Sequence, residues 1–364
     1  MINTAGNAVT VAAAEPSPAA IERAAVEPAG IDLPRVMAYL ATVLDRPVGP
    51  LRAQLLRGGR SNLTYRLTGD GLDVVLRRPP FGTLNPSAHD MGREFRVVHA
   101  LHGAGFPVPT PITLCTDESV IGVPFSLVDF VPGRVIRTRE DLATLTEDQV
   151  KSCASGLSVT LARLHAIPYE SVGLASLGRP DGYLHRQVSR WRDQWDRIGT
   201  RPSDDLITLH ARLAQSTPAE AGAAVVHGDY RIDNVLLDPA DPGRVRGVVD
   251  WEMATIGDPL ADLGLSLAYR DPAFEPVLGG SAAAVDDRMP TPREMAKQYA
   301  RASGRPLDNL DFYVGLGYFK AAVIAEGIHA RFVDGMTVGD GFDRVGPAVP
   351  ELLAAGLRAL AGRW

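Results

Sequence analysis

The feature that most constrains this chain is a set of polar strings lodged among short apolar runs. They are His227-Gly-Asp-Tyr-Arg-Ile-Asp-Asn-Val-Leu-Leu237, then Val248-Val-Asp-Trp-Glu252, then Gly257-Asp-Pro-Leu-Ala-Asp262. Residues 223–227, 235–237 and 245–251 have the length and β-branched character of short strands, so Asp229, Asn234 and Asp250 are expected on loops anchored against a core. A carboxylate can take a proton from a hydroxyl, and an amide oxygen with a second carboxylate suits a hard cation such as Mg²⁺. Phosphoryl transfer from ATP needs that combination: a group that orients or deprotonates the acceptor, and a metal between the phosphates. Asp and Asn also favour ordinary turns, so the reading rests on the ordered set and not on any one member.

The rest of the chain sorts into two halves about Pro132-Gly133. Between residues 51 and 130 the pattern is strand-like: Leu63-Thr-Tyr-Arg-Leu67 alternates, and Leu72-Asp-Val-Val-Leu-Arg77 is β-rich. One helix interrupts, with Met91, Phe95, Val98 and Leu101 on one face and Gly103 and Gly105 at its end. This half reads as a small antiparallel sheet with one packed helix. Beyond it, Val150, Cys153, Leu157, Leu161 and Leu164 form a helical stripe ended by Pro168. Further helices are expected over residues 182–198, 260–269, 292–301 and 311–332. Residues 270–290, rich in Pro, Gly and Ala, read as a loop without chemistry. A helix is also expected from Ile31, through Leu33, Val36, Met37, Leu40 and Leu44, behind a disordered tail over residues 1–30.

Composition excludes several classes. The 364 residues carry a net charge of −6, so no basic surplus draws the chain to nucleic acid or an anionic membrane. No run approaches the roughly 18 apolar residues of a membrane span. Two cysteines cannot build a disulfide scaffold, and a reducing, cytoplasmic setting is the expectation. No repeat or heptad pattern sets an oligomeric state.

The spacing H-x-D-x-x-x-x-N, followed by a strand-borne Asp, resembles the kinase catalytic loop and its metal-binding aspartate. In detail, His-Gly-Asp and Asp-Trp-Glu are similar to the aminoglycoside phosphotransferase and choline kinase-like family. Tyr-Arg-Ile-Asp-Asn and Gly-Asp-Pro-Leu-Ala-Asp-Leu-Gly most resemble the phosphotransferase domains associated with acyl-CoA dehydrogenases. The resemblance runs over residues 31–332. It implies an α+β, protein-kinase-like two-lobed fold: a small antiparallel β N-lobe over residues 31–130, and a larger, mainly helical C-lobe over residues 131–364.

The resemblance also assigns roles. Gly58-Gly-Arg-Ser-Asn-Leu-Thr-Tyr65, with Ser61 and Asn62, stands where the family covers the phosphates, although the full G-x-G-x-x-G is absent. Arg77 takes the place of the strand lysine that pairs with the phosphates, and Glu94 that of its helix partner; Arg keeps the charge but changes reach and geometry. Val128 would flank the adenine, with the Asp129 carbonyl and the Val131 N–H on its edge. Asp229 would orient or deprotonate the acceptor, and Arg231 would lie near the transferred phosphate. Asn234 and Asp250 would hold the metal, and Asp262 would brace the loop; His227 is read from the residue itself as a loop-bracing histidine and not a base.

The expected function is an ATP- and Mg-dependent phosphotransferase acting on a hydroxyl of a small molecule, a hydroxyacyl thioester or an aminoglycoside-like compound. The alternatives are a nucleotide-binding pseudokinase or scaffold without turnover, and a metallohydrolase. The eight scattered histidines disfavour the second. Trp191 and Trp195, one helical turn apart, read as core before acceptor pocket. His165, Cys115 and Cys153 read as structural.

Overall fold

The computed structural model describes residues 29–56, 62–81, 90–279, 282–337 and 340–364. The expectations for residues 1–28 and for Ser61 fall outside them. The described residues open with helix α1, Leu33–Val43, whose N-cap Asp32 accepts from the Arg35 N–H at 3.1 Å. Strands β1, Arg52–Leu55, β2, Leu63–Gly69, and β3, Leu72–Arg78, follow. Helix α2, Met91–Gly103, then precedes β4, Pro111–Cys115, and β5, Phe125–Asp129. The five strands form one antiparallel sheet in the order β1-β2-β3-β5-β4.

Strand alternation decides what faces what. Tyr65, Leu67, Val74, Leu76, Phe125 and Leu127 point into a core closed by Val36 and Leu40 of α1. Val75, Arg77, Ser126 and Val128 therefore point to the opposite face, which lines the cleft. Helix α2 does not belong to that small core. Its Val97, Val98 and Leu101 join the large one, and its Arg93 donates to the carbonyls of Leu177 and Ala254, both at 2.8 Å. It is a rod that ties the sheet to the larger lobe.

That larger lobe contains α3, Arg139–Ala143, α4, Glu147–His165, α5, Tyr183–Ile198, and α6, Asp204–Gln215. Four short strands come next: β6, Ala224–Val226, β7, Val235–Leu237, β8, Val245–Val248, and β9, Thr255–Gly257. The chain ends with α7, Pro259–Ala268, α8, Glu275–Leu278, α9, Pro292–Ser303, α10, Leu310–Val333, and α11, Val345–Ala359. The fold is α+β. Among the described residues no helix is long and apolar enough to cross a membrane.

Sequence periodicity overlooked α6 and α11. Helix α6 is amphipathic, capped by Ser203 and buried through Leu206, Leu209 and Leu213, so its signal was present. In α11, Pro350 lies inside the helix and interrupts the pattern. The Gly264 that ends the Gly-Asp-Pro string has a packing reason. A Cβ there would stand 2.5 Å from the Tyr313 carbonyl, and one at Gly317 would stand 2.9 Å from the Leu265 Cα. Helices α7 and α10 cross in contact through these two glycines. Trp191 and Trp195 are both buried in the core of the large lobe, and burial pushes the Cys153 thiol up to about 12.

Candidate active site

Two pairings bring the polar strings together. Strand β6 pairs with β9 through Val225 and Ile256, and β7 pairs with β8 through Val235 and Val248. The loops that leave these strands consequently lie side by side, tied by the Val249 N–H to the Asn234 carbonyl at 3.0 Å. Asp250 takes a left-handed backbone, φ 68°, as the chain turns into the following 3-10 turn.

The loop after β6 is fixed from below. Asp262, in the first turn of α7, is buried and accepts the N–H groups of His227 at 2.6 Å and Gly228 at 2.8 Å. Burial opposes its charge, but hydrogen bonding and charge from His165, with these N–H groups, hold its pKa below the ordinary range. His227 is wholly buried on Trp251, ring centroids 4.6 Å apart. Its Nδ1 accepts the Asp229 N–H at 3.2 Å, so Nε2 is the donor to the Val249 carbonyl at 2.9 Å. Both nitrogens are thereby used in bracing. Gly228 has φ +80°, and a Cβ there would stand 2.7 Å from the Met253 carbonyl, which explains glycine at this turn.

Asp229 stands at the centre. Its Oδ2 accepts from Arg231 Nε at 3.2 Å and from Asn234 Nδ2 at 3.1 Å, and its Oδ1 accepts from the Tyr269 hydroxyl. Burial pushes its pKa up, but Arg231, the Tyr269 hydrogen bond, His227 and Lys320 outweigh that and hold it down. Arg231 also pairs with Asp233, whose pKa burial raises. Lys320 of α10 donates to the Gly228 carbonyl at 2.5 Å; burial lowers its pKa.

Arg77 forms the second centre. Its Nε lies 2.9 Å from Glu94 Oε1, and its NH2 lies 2.5 Å from Asp250 Oδ1 and 3.7 Å from Glu252 Oε2. Burial works to lower the Arg77 pKa; the three carboxylates overcome it and raise it. Asn62 is buried and donates to Glu252 at 3.2 Å. Asn234 donates through Nδ2 to the Asp229 backbone carbonyl at 2.9 Å as well as to its carboxylate. Its side-chain oxygen remains as the atom able to meet a cation. With the Asp250 carboxylate this is a hard, all-oxygen donor pair of the kind Mg²⁺ takes.

The two centres meet in one cleft of about 760 Å³, which Tyr269, Lys320, Asn62, His227 and Asp262 support from behind its lining. Arg77, Glu94, Asp129, Val131, Asp229, Arg231, Asn234 and Asp250 all face it. Val128, Asp129, Phe130 and Val131 line its edge where the two lobes join, with the Arg66 guanidinium 3.6 Å from the Phe130 ring centroid.

Residues 270–290 correct the reading of a featureless loop. They contain α8 and two 3-10 turns, and Val277, Leu278, Ala282, Ala283 and Ala284 form an apolar wall of the cleft. The Ala283 N–H donates to the Arg137 carbonyl at 2.9 Å, which holds the wall against the chain beyond the lobe junction. Sequence reasoning also missed Tyr269, Lys320 and the contacts of Glu252. Tyr269 had a signal: it lies seven residues after Asp262, two turns on along the same helix face.

The sequence model of the phosphotransferase enzyme family matches residues 52–297. Acyl-CoA dehydrogenase family member 11 of Gallus gallus is 37% identical over 322 residues, which cover 86% of this chain. The match spans 41% of that relative's length. A Ralstonia eutropha crystal structure assigned as an aminoglycoside phosphotransferase superposes with TM-score 0.77 and 30% identity, covering 92% of this chain and 99% of that one. A thermostable aminoglycoside phosphotransferase mutant in ternary complex with ADP and hygromycin B has TM-score 0.57 and 18% identity, covering 89% and 98%; it shares the fold. By its motifs, its two-lobed fold and these matches, the chain belongs to the phosphotransferase enzyme family, with the aminoglycoside phosphotransferases among its structural neighbours.

Proposed function

We propose that this protein is an ATP- and Mg-dependent kinase that moves the γ-phosphoryl group to a hydroxyl of a small molecule. The observation that carries the reading is one cleft in which an ionised Asp229, the Asn234–Asp250 oxygen pair and the Arg77 guanidinium converge. Asp229 receives or orients the acceptor hydroxyl, a contribution of roughly 10²–10⁴ in rate for a positioned base. The acceptor oxygen forms the new P–O bond as the bond to the ADP oxygen breaks, and the hydroxyl proton passes to Asp229. Arg231, beside Asp229, offsets charge on the moving phosphoryl group, and Arg77 offsets charge on the other phosphates. Asn234 Oδ1 and the Asp250 carboxylate would hold Mg²⁺, which supplies charge neutralisation between the phosphates. Val128 and its neighbours at the lobe junction would receive the adenine, on the Asp129 carbonyl and Val131 N–H. Ser61 and Asn62 belong to the segment that would cover the phosphates.

The wall formed by Val277, Leu278 and Ala282–284 favours an acceptor with an apolar body, such as a hydroxyacyl thioester. A polycationic aminoglycoside would want uncompensated acid, whereas Asp233 here is paired with Arg231. The test is ADP production across hydroxyacyl-CoAs, aminoglycosides, choline-like alcohols and sugars, with Asp229→Ala and Asp250→Ala as controls. Turnover that survives both substitutions overturns the reading. Nucleotide binding without turnover on any acceptor would instead support a scaffold.

A further inference from the structure

The carboxylate of Asp229 offers about four lone-pair directions, two on each oxygen. Arg231 Nε and Asn234 Nδ2 occupy Oδ2, at 3.2 and 3.1 Å, and the Tyr269 hydroxyl occupies one direction on Oδ1. One direction remains, on Oδ1 beside the tyrosine. Tyr269 is itself held: it follows α7, is 9% exposed, and packs edge-to-face on Phe274 with centroids 4.9 Å apart. Phe274 opens the segment that forms the apolar wall of the cleft.

We infer that Tyr269 is a positioning residue for phosphoryl transfer, its hydroxyl fixing the rotation of the Asp229 carboxylate so that a single direction on Oδ1 is left for the acceptor hydroxyl. The inference rests on the role given to Asp229 above. The charged and titratable groups facing Asp229 are His227, Arg231 and Asp233 from its own loop, Lys320 from α10, and Tyr269 from the end of α7. Burial, together with the Asp229 charge, raises the Tyr269 pKa well above its ordinary value, so the hydroxyl stays a donor. Its hydrogen bond helps to keep Asp229 ionised.

Tyr269→Phe keeps the ring on Phe274 and removes only the donor. ADP release from Mg-ATP, with water as the acceptor, is measured on wild type, Tyr269→Phe, Asp229→Asn and the double variant, with unfolding temperatures on the same proteins. In the Phe variant kcat falls about tenfold or more, with KM for ATP within twofold. In the Asp229→Asn background the same change lowers kcat less than about twofold further, because the carboxylate it positions is gone. An unchanged kcat in the Phe variant, or an equal further loss in the Asn background, overturns the inference. Loss of kcat that simply tracks a lower unfolding temperature overturns it too. Asp229→Asn turning over at the wild-type rate would instead overturn the role of Asp229.

Discussion

Arg77 of β3 and Asp250, two residues past β8, meet at 2.5 Å, so one ion pair joins the sheet of the small lobe to the loop of the large one. The two residues are 173 positions apart. Arg77 also holds Glu94 of α2, which is buried. One guanidinium therefore connects three elements around the cleft.

Replacing Arg77 by Met should strand Glu94 as an uncompensated buried acid. Breaking such a pair from one side costs about 3 kcal/mol. Burial already raises the Glu94 pKa against the pull of Arg77, so Glu94 should take up a proton in this variant. Urea unfolding is expected to show the loss, with Arg77→Lys recovering part of it, since lysine keeps the charge without the fork. A Met variant as stable as wild type would show that the pair does not hold the lobes.

Asp262→Ala should unfold the loop locally. It leaves the His227 and Gly228 N–H groups buried without an acceptor, at about 1–3 kcal/mol each. The pH dependence has a definite sign. Because the folded-state pKa of Asp262 is depressed, its contribution is present above the unfolded value near about 4 and disappears as pH falls through the folded one. The stability gap between wild type and Asp262→Asn should thus be widest near neutral pH and shrink in acid. A gap that grows below pH ~4 would contradict this account.

Gly228→Ala places a Cβ on a left-handed residue and drives it against the Met253 carbonyl. The expected loss is about 2 kcal/mol or more, together with displacement of Asp229. Thermal unfolding and ADP production should fall together. Gly71→Ala shares the positive φ but has open space, so its cost should be backbone strain alone, without loss of turnover.

The apolar wall is tested by Leu278→Asp. Losing the apolar contact and adding a charge should raise KM for an apolar-bodied acceptor about tenfold or more, with KM for ATP within twofold. Equal effects on both would place Leu278 against the nucleotide instead.

The family and the two-lobed α+β fold were legible in the sequence because their signals are local. Ordered strings such as His227-Gly-Asp and Gly257-Asp-Pro survive without any knowledge of packing, and the alternation of β2 and β3 and the stripe of α4 follow from periods of 2 and 3.6. Helix α11 was not legible, because Pro350 lies within it and packing against α10 sustains it regardless.

Local order along the chain determined which residue types stand on which elements: Asp229 and Asn234 on one loop, Asp250 past a strand, Arg77 on the cleft side of β3. Tertiary structure alone decided which groups touch. Tyr269 reaches Asp229 across 40 residues, Arg77 meets Asp250, Asn62 meets Glu252, and Val277, Leu278, Ala282, Ala283 and Ala284 become a wall and not a loop. The physical reason is that such contacts come from helix crossings and strand pairings set by close packing. The glycines where α7 crosses α10 are one such setting, and no period in the sequence encodes the partner they bring near.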